Sequence, residues 1–97
     1  MNIENWTVTF VNSTAINVIA YDSFLLTMRV TFRNSRSYDY TGVSLQTFSA
    51  LVNSDSVGAH FNAQIRPNYD YYTVEQQEER RFLLLLLQQQ RLMNSSN

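Results

Sequence analysis

Cysteine is absent from this chain. That excludes disulfide frameworks, thiol catalysis and zinc sites built on thiolates. Lysine is absent as well, so the seven basic residues are all arginine: Arg29, Arg33, Arg36, Arg66, Arg80, Arg81 and Arg91. Against eight acidic residues they leave a net charge of -1. From Ala15 to Tyr72 four arginines balance Asp22, Asp39, Asp55 and Asp70. A surface that tracks a long nucleic-acid backbone carries a basic excess, and there is none here. An all-arginine set still suits forked recognition of a compact phosphate or carboxylate by a few residues. The longest apolar run, Phe82 to Leu87, has six residues, far short of the roughly 20 that span a bilayer, so no membrane association is expected. MNIENWTV lacks the basic start and apolar stretch of a signal peptide. The cytoplasm is therefore the expected compartment, and the sequons at Asn5 and Asn12 are read as chance.

What is present suffices for one packed domain. The chain has 97 residues, 44% of them hydrophobic, and thirteen large aromatics; that is too short for two cores and too apolar for global disorder. Asn5 to Val11 alternates, with Trp6, Val8 and Phe10 on one face, and reads as a half-buried edge strand. Ile16 to Tyr21 is β-branched and apolar enough for a second strand, ended by a turn at Asp22-Ser23. In the third, Leu26, Met28, Val30 and Phe32 alternate with Thr27, Arg29, Thr31 and Arg33, which places the two arginines on an open, solvated face. A hairpin turn of undetermined type at Arg33 to Arg36 leads into a return strand, Ser37 to Val43, with Tyr38 and Tyr40 on one face and Asp39 on the other.

Two short helices follow. Ser44 is placed to cap Leu45 to Val52, where Leu45, Phe48, Leu51 and Val52 form an apolar stripe. Asp55 or Ser56 caps the next, which buries Phe61 and Ile65 and stops near Pro67. The order predicts an α+β fold, an antiparallel meander of three to four strands with two short helices on one face. The domain is expected over residues 1–72. Residues 73–97 form a separate C-terminal helix, opened by a capping box at Thr73 to Gln76 and an attraction between Glu78 and Arg81. Its Phe82 to Leu87 segment is apolar all round and wants burial on more than one side. Homo-oligomers built on Phe82, Leu83, Leu86 and Leu87 are one expectation; packing back on the helix's own sheet is the other. Asn94 to Asn97 are expected to fray.

Tyr21-Asp22, Tyr38-Asp39-Tyr40, Gly42-Val43 and the run Ser56, Gly58, Phe61-Asn62, Ile65, Tyr69 together resemble the KTSC domain. This is a small domain found at the C-terminus of some lysyl-tRNA synthetases and as a free-standing bacterial or viral protein. The likeness covers about Ser13 to Tyr71. What it implies about activity is limited to an RNA association, from attachment to a synthetase. Relatives often carry lysines after Ser56, whereas here the segment reads Ser56-Val57-Gly58-Ala59-His60.

The candidate ligand-binding residues are Tyr38 and Tyr40 for stacking; Arg29, Arg33 and Arg36 for phosphate; Ser56 and Asn62 at a helix start; and Arg66 and Tyr69. The same tyrosines suit core packing, and Ser56 and Gly58 suit a cap and a close helix contact. Tyr69 to Tyr72 either line a cleft or join domain to tail. His60 stands alone, without the partners a metal or catalytic site needs. No cofactor or catalytic motif is expected, and the chain reads as not an enzyme. The expected function is a binding module for a compact phosphate-bearing ligand, a nucleotide or short RNA element; one version is a viral protein that sequesters a signalling nucleotide between subunits. The alternatives are an RNA-associated accessory domain and a protein-interaction module acting through the leucine helix.

Overall fold

The computed structural model describes residues 6–95. Asn5, read as the start of the first strand, and Ser96-Asn97, expected to fray, lie outside them; the last helix runs through Asn94 and Ser95. Five strands form one antiparallel sheet in chain order: β1 (Trp6–Phe10), β2 (Ile16–Asp22), β3 (Thr27–Phe32), β4 (Ser37–Thr41) and β5 (Tyr71–Thr73). Between β4 and β5 come α1 (Leu45–Val52), the single turn α2 (Val57–His60) and a π-helical turn, Phe61–Ile65. The helix α3 (Val74–Ser95) closes the chain. The α+β class is as the sequence predicts, with one strand more. Tyr71–Thr73 is the addition, too short to stand out by periodicity, and it pairs Tyr71 with Tyr40 and Thr73 with Tyr38. The expected domain end at residue 72 thus falls inside a strand.

Register decides which side chains share a face. Tyr21, Met28 and Tyr40 are opposite one another across three strands, as are Ile19, Val30 and Tyr38. This face is the core. Tyr21, Ile19, Met28 and Val30 are buried there beneath Phe48, Leu51, Phe61 and Ile65. Tyr21 stacks on Phe48 at 4.7 Å, and its hydroxyl donates to the Val43 carbonyl at 2.7 Å. Ser44 caps α1 by accepting from the Thr47 N–H, and Ser56 caps α2 by accepting from Ala59. A hydrogen bond from Arg66 N–H to the Phe61 carbonyl, five residues back, sets the π turn. Phe61 and Ile65 then both point inward. Gly58 lies against the β1–β2 turn, where a Cβ would come 3.4 Å from Ser13 Oγ.

The hairpin after β3 is a three-residue loop. Ser35 N–H donates to the Phe32 carbonyl and Phe32 N–H to Arg36, with Ser35 at φ 71°. The turn left undetermined by the sequence is thus a type I turn followed by a left-handed residue, Ser35.

The opposite face differs from expectation. Trp6, Val8 and Phe10 do share a side, pairing with Asp22, Ala20 and Val18, but it is not the core side: Val8 is 54% and Phe10 80% exposed. Leu26 belongs to the β2–β3 turn with φ 53°, not to the buried stripe of β3, and Leu45 is exposed rather than part of the α1 stripe. Arg29 is not solvated. Its guanidinium forks Asp39, Nε to Oδ1 at 2.7 Å and Nη2 to Oδ2 at 3.0 Å, and lies 4.9 Å from the centre of the Trp6 ring. Asp39 is wholly buried. The carboxylate bond holds the Arg29 pKa up against the opposing effect of burial, and the charges of Asp39 and Glu78 add to the rise.

The ion pair of Glu78 with Arg81 is not formed; Arg29–Asp39 is the salt bridge found among the described residues. The capping box of α3 forms in both directions, Gln76 N–H to Thr73 Oγ1 at 3.1 Å and Thr73 N–H to Gln76 Oε1 at 2.9 Å. Gln77 is buried, and Arg80 stacks 3.9 Å over Tyr72. The first turns of α3 thus cover part of the second sheet face. The helix, about 33 Å long by its rise per residue, then overhangs. Phe82 to Leu87 are each 43–62% exposed. A radius of gyration of 15.7 Å, against about 12.5 Å for a compact chain of this length, reflects that projection.

Candidate functional site

The core face ends at β5 in an aromatic hollow. Phe32, Tyr38, Tyr40, Tyr71 and Arg66 line it, with a volume of about 310 Å³. Strand pairing places Tyr40 directly opposite Tyr71, and Tyr38 reaches the same ring edge-on at 5.6 Å. Phe32 packs edge-on to Tyr38 at 6.1 Å. Arg66, carried by the residue after the π turn, lies 5.5 Å from the Phe61 ring centre and is itself exposed.

Burial and charge both act on the Tyr40 phenol. Burial pushes the Tyr40 phenol above its ordinary pKa, Arg66 pulls it down, and the phenols of Tyr71 and Tyr38 add to the rise. Tyr38, Tyr40, Tyr71 and Arg66 all line the one hollow, with the Tyr71 ring 5.6 Å from each of the other two tyrosine rings. None of the three hydroxyls makes a hydrogen bond to another described residue, unlike Tyr21, whose hydroxyl is taken by Val43, and Tyr69, which shares a 3.3 Å contact with Thr47 Oγ1. The hollow thus offers three phenolic donors and one guanidinium on aromatic walls, a set that accepts a compact anion joined to a flat ring.

A second hollow of about 520 Å³ shares Tyr38 and is lined also by Ser35, Arg36, Ser37, Thr73 and Glu75. Of the residues singled out in the sequence, Tyr38, Tyr40 and Arg66 come together, and Arg36 stands in the adjoining hollow. The others are elsewhere. Arg29 is committed to Asp39 on the opposite face. Arg33 donates to the Ser13 carbonyl at 2.6 Å and ties the hairpin to the β1–β2 turn. Ser56 caps α2, Asn62 is exposed on the π turn, and Tyr69 lines a separate hollow with Thr47, His60 and Gln64. Sequence reasoning missed Phe32 as a site residue and weighed Tyr71 only within the Tyr69–Tyr72 cluster. Both enter through pairings in space, and the three-residue strand that positions Tyr71 leaves no periodic signal.

Comparison with known proteins agrees with this fold. The model of the KTSC domain matches residues 12–69. The chain belongs to the KTSC domain family. An uncharacterised protein of Stutzerimonas stutzeri strain A1501 is 30% identical over 64 residues, covering 65% of this chain and 90% of that protein. The crystal structure of a KTSC domain protein from Yersinia pestis superposes with a TM-score of 0.68 at 23% identity, covering 71% of this chain and 97% of that one. That likeness is one of fold. The matched KTSC residues include Phe32, Tyr38, Tyr40 and Arg66 but stop short of Tyr71, and β1 and α3 lie outside them. No helix among the described residues is long and apolar enough to cross a membrane, and none of their His, Asp or Glu side chains gather in threes as metal ligands do.

Proposed function

We propose that this KTSC protein is a non-enzymatic binding module for a compact phosphate-bearing ligand, a nucleotide in preference to a long nucleic acid. The observation that carries the reading is that Tyr38, Tyr40, Tyr71 and Arg66 line one aromatic hollow, with no hydrogen bond from the three hydroxyls to another described residue. The rings supply a stacking wall for a base. The guanidinium and phenols supply charge-assisted hydrogen bonds to phosphate. Arg36, across Tyr38, stands where a second phosphate or a ribose would extend.

Isothermal titration and native mass spectrometry with a panel of nucleoside mono-, di- and cyclic phosphates test it. Binding that weakens about tenfold or more in Arg66→Ala, and less in Tyr71→Phe, is expected. Absence of binding across the panel overturns it. A short RNA serves as the contrasting probe. With only Arg66 and Arg36 at the site, the slope of log affinity against log salt should not exceed about -1 to -2. A much steeper slope would favour the RNA-associated alternative.

A further inference from the structure

The exposed leucines of α3 are divided between two sides of the helix. At 100° per residue, Gln77, Arg81, Leu84 and Gln88 form one side. It is the side turned to the sheet: Gln77 is buried, and Arg81 and Leu84 line a groove with Leu25, Thr27 and Thr41. The opposite side carries Glu79, Phe82, Leu83, Leu86, Leu87 and Gln90. Four large apolar side chains, 43–61% exposed, stand there in a contiguous band of the kind that marks an interaction surface.

We infer that the occupant of this band is the same band of a second copy, packed antiparallel about a twofold axis between Leu84 and Leu85. Three observations select that partner and that direction. The pattern is its own complement when reversed: Leu83 meets Leu86 and Glu79 meets Gln90 along the seam, with Phe82 and Leu87 covering its two flanks, so each position finds a fitting counterpart in an isologous interface. The band also contains a ready hole. Leu83, Leu86, Leu87 and Gln90, spaced as the four residues that receive a knob in helix packing, line a hollow of about 330 Å³ together with Gln89. In the antiparallel register Leu83 of the second copy faces its centre. Charge excludes the parallel alternative, which would set Glu79 against Glu79 at the seam, a repulsion that pairing with the uncharged Gln90 avoids.

The interface lies on α3, away from the tyrosine hollow, so the inference stands independently of the ligand. Sedimentation and native mass spectrometry of the full chain should give a dimer or an even multiple; a monomer or an odd-numbered assembly overturns it. Leu83→Glu with Leu86→Glu should give a folded monomer by circular dichroism, since both side chains are exposed in the single chain; a persisting dimer overturns this use of the band. Direction is read by engineered cysteines, made clean by the absence of native ones. Two copies of Gln90 would lie about 16 Å apart along an antiparallel pair, beyond the roughly 7 Å limit for a disulfide. Gln90→Cys alone should therefore not cross-link on oxidation, whereas Glu79→Cys with Gln90→Cys should. Cross-linking by Gln90→Cys alone within the dimer overturns the antiparallel arrangement.

Discussion

The two faces of the sheet are closed by different physics. On the core face, close-packed aromatics and aliphatics from α1 and the π turn cover Tyr21, Met28, Val30 and Tyr40. On the other, one buried ion pair, Arg29–Asp39, sits under Trp6 and the first turns of α3, while Val8 and Phe10 remain exposed. The first face belongs to the region matched by the KTSC model, whereas two of the elements over the second, β1 and α3, lie outside it. Apolar residues on the core face are where burial would put them. On the second face and along α3 apolar residues stand in the open, and a charged pair is inside. Hydrophobicity on that side is not spent on the fold of the single chain.

The sharpest break of the comparison is on the core face. Phe61 is 1% exposed and holds Phe32, Tyr40 and Arg66 around its ring. Phe61→Ala should cost about 3–5 kcal/mol in urea unfolding, as large-to-small changes at buried aromatics do. The same substitution removes the ring against which three lining residues of the tyrosine hollow pack, so ligand affinity should fall with stability.

Asp39→Ala should be nearly as damaging, at about 3–5 kcal/mol, because it leaves the Arg29 charge without its partner in a largely buried place. The double change Arg29→Met with Asp39→Leu should recover most of that loss, since desolvating two charges offsets much of what their attraction returns. If the double variant is as unstable as the single, the ion pair is more than a neutral way to fill the second face. Measuring both by the same unfolding curve separates packing from charge.

How far the sequence disclosed this arrangement follows the same division. Period-two alternation in β3 and helical spacing in α1 placed Met28, Val30, Phe48 and Leu51 correctly, because one-sided burial writes a pattern along the chain. Alternation in β1 was equally clear yet pointed to the wrong side, since a pattern shows that two faces differ without saying which is covered. Arg29 read as solvated for want of any local sign that Asp39 stands opposite it; that pairing depends on register across ten residues. The hollow was half visible. Tyr38 and Tyr40 were evident as a pair, but Tyr71 joins them through β5, a three-residue strand returning after two helices, and Arg66 through the extra residue of a π turn. Contacts of that kind have no local period.

A smaller effect lies in a hydrogen bond inside the core. Tyr21→Phe removes the 2.7 Å bond to Val43 but keeps the stacking on Phe48, and should cost about 1 kcal/mol. The wild type should also lose stability in alkali. Burial raises the pKa of Tyr21, with the Asp22 charge adding to it, and burial raises that of Tyr40. For a group raised on folding, the contribution is complete below the unfolded value of about 10 and declines as pH climbs through the folded value. Stability should therefore hold to about pH 10 and fall beyond it, with a shallower fall in Tyr21→Phe. Equal slopes in the two proteins would mean that Tyr21 ionises as freely folded as unfolded.

The smallest expected change tests the exposed side of the comparison. Leu45 looks like part of the α1 stripe but is 54% exposed, beside Phe48, which is 5% exposed. Leu45→Gln should alter unfolding free energy by no more than about 0.5 kcal/mol, as surface substitutions away from caps and core do. Phe48→Leu, three residues on, should cost more than this through lost ring contact with Tyr21. A loss above about 1 kcal/mol in Leu45→Gln would mean that this leucine is covered in solution by something outside the single chain. It would then join the α3 band as surface reserved for assembly, and the distinction between a closed core face and an open second face would have to be redrawn.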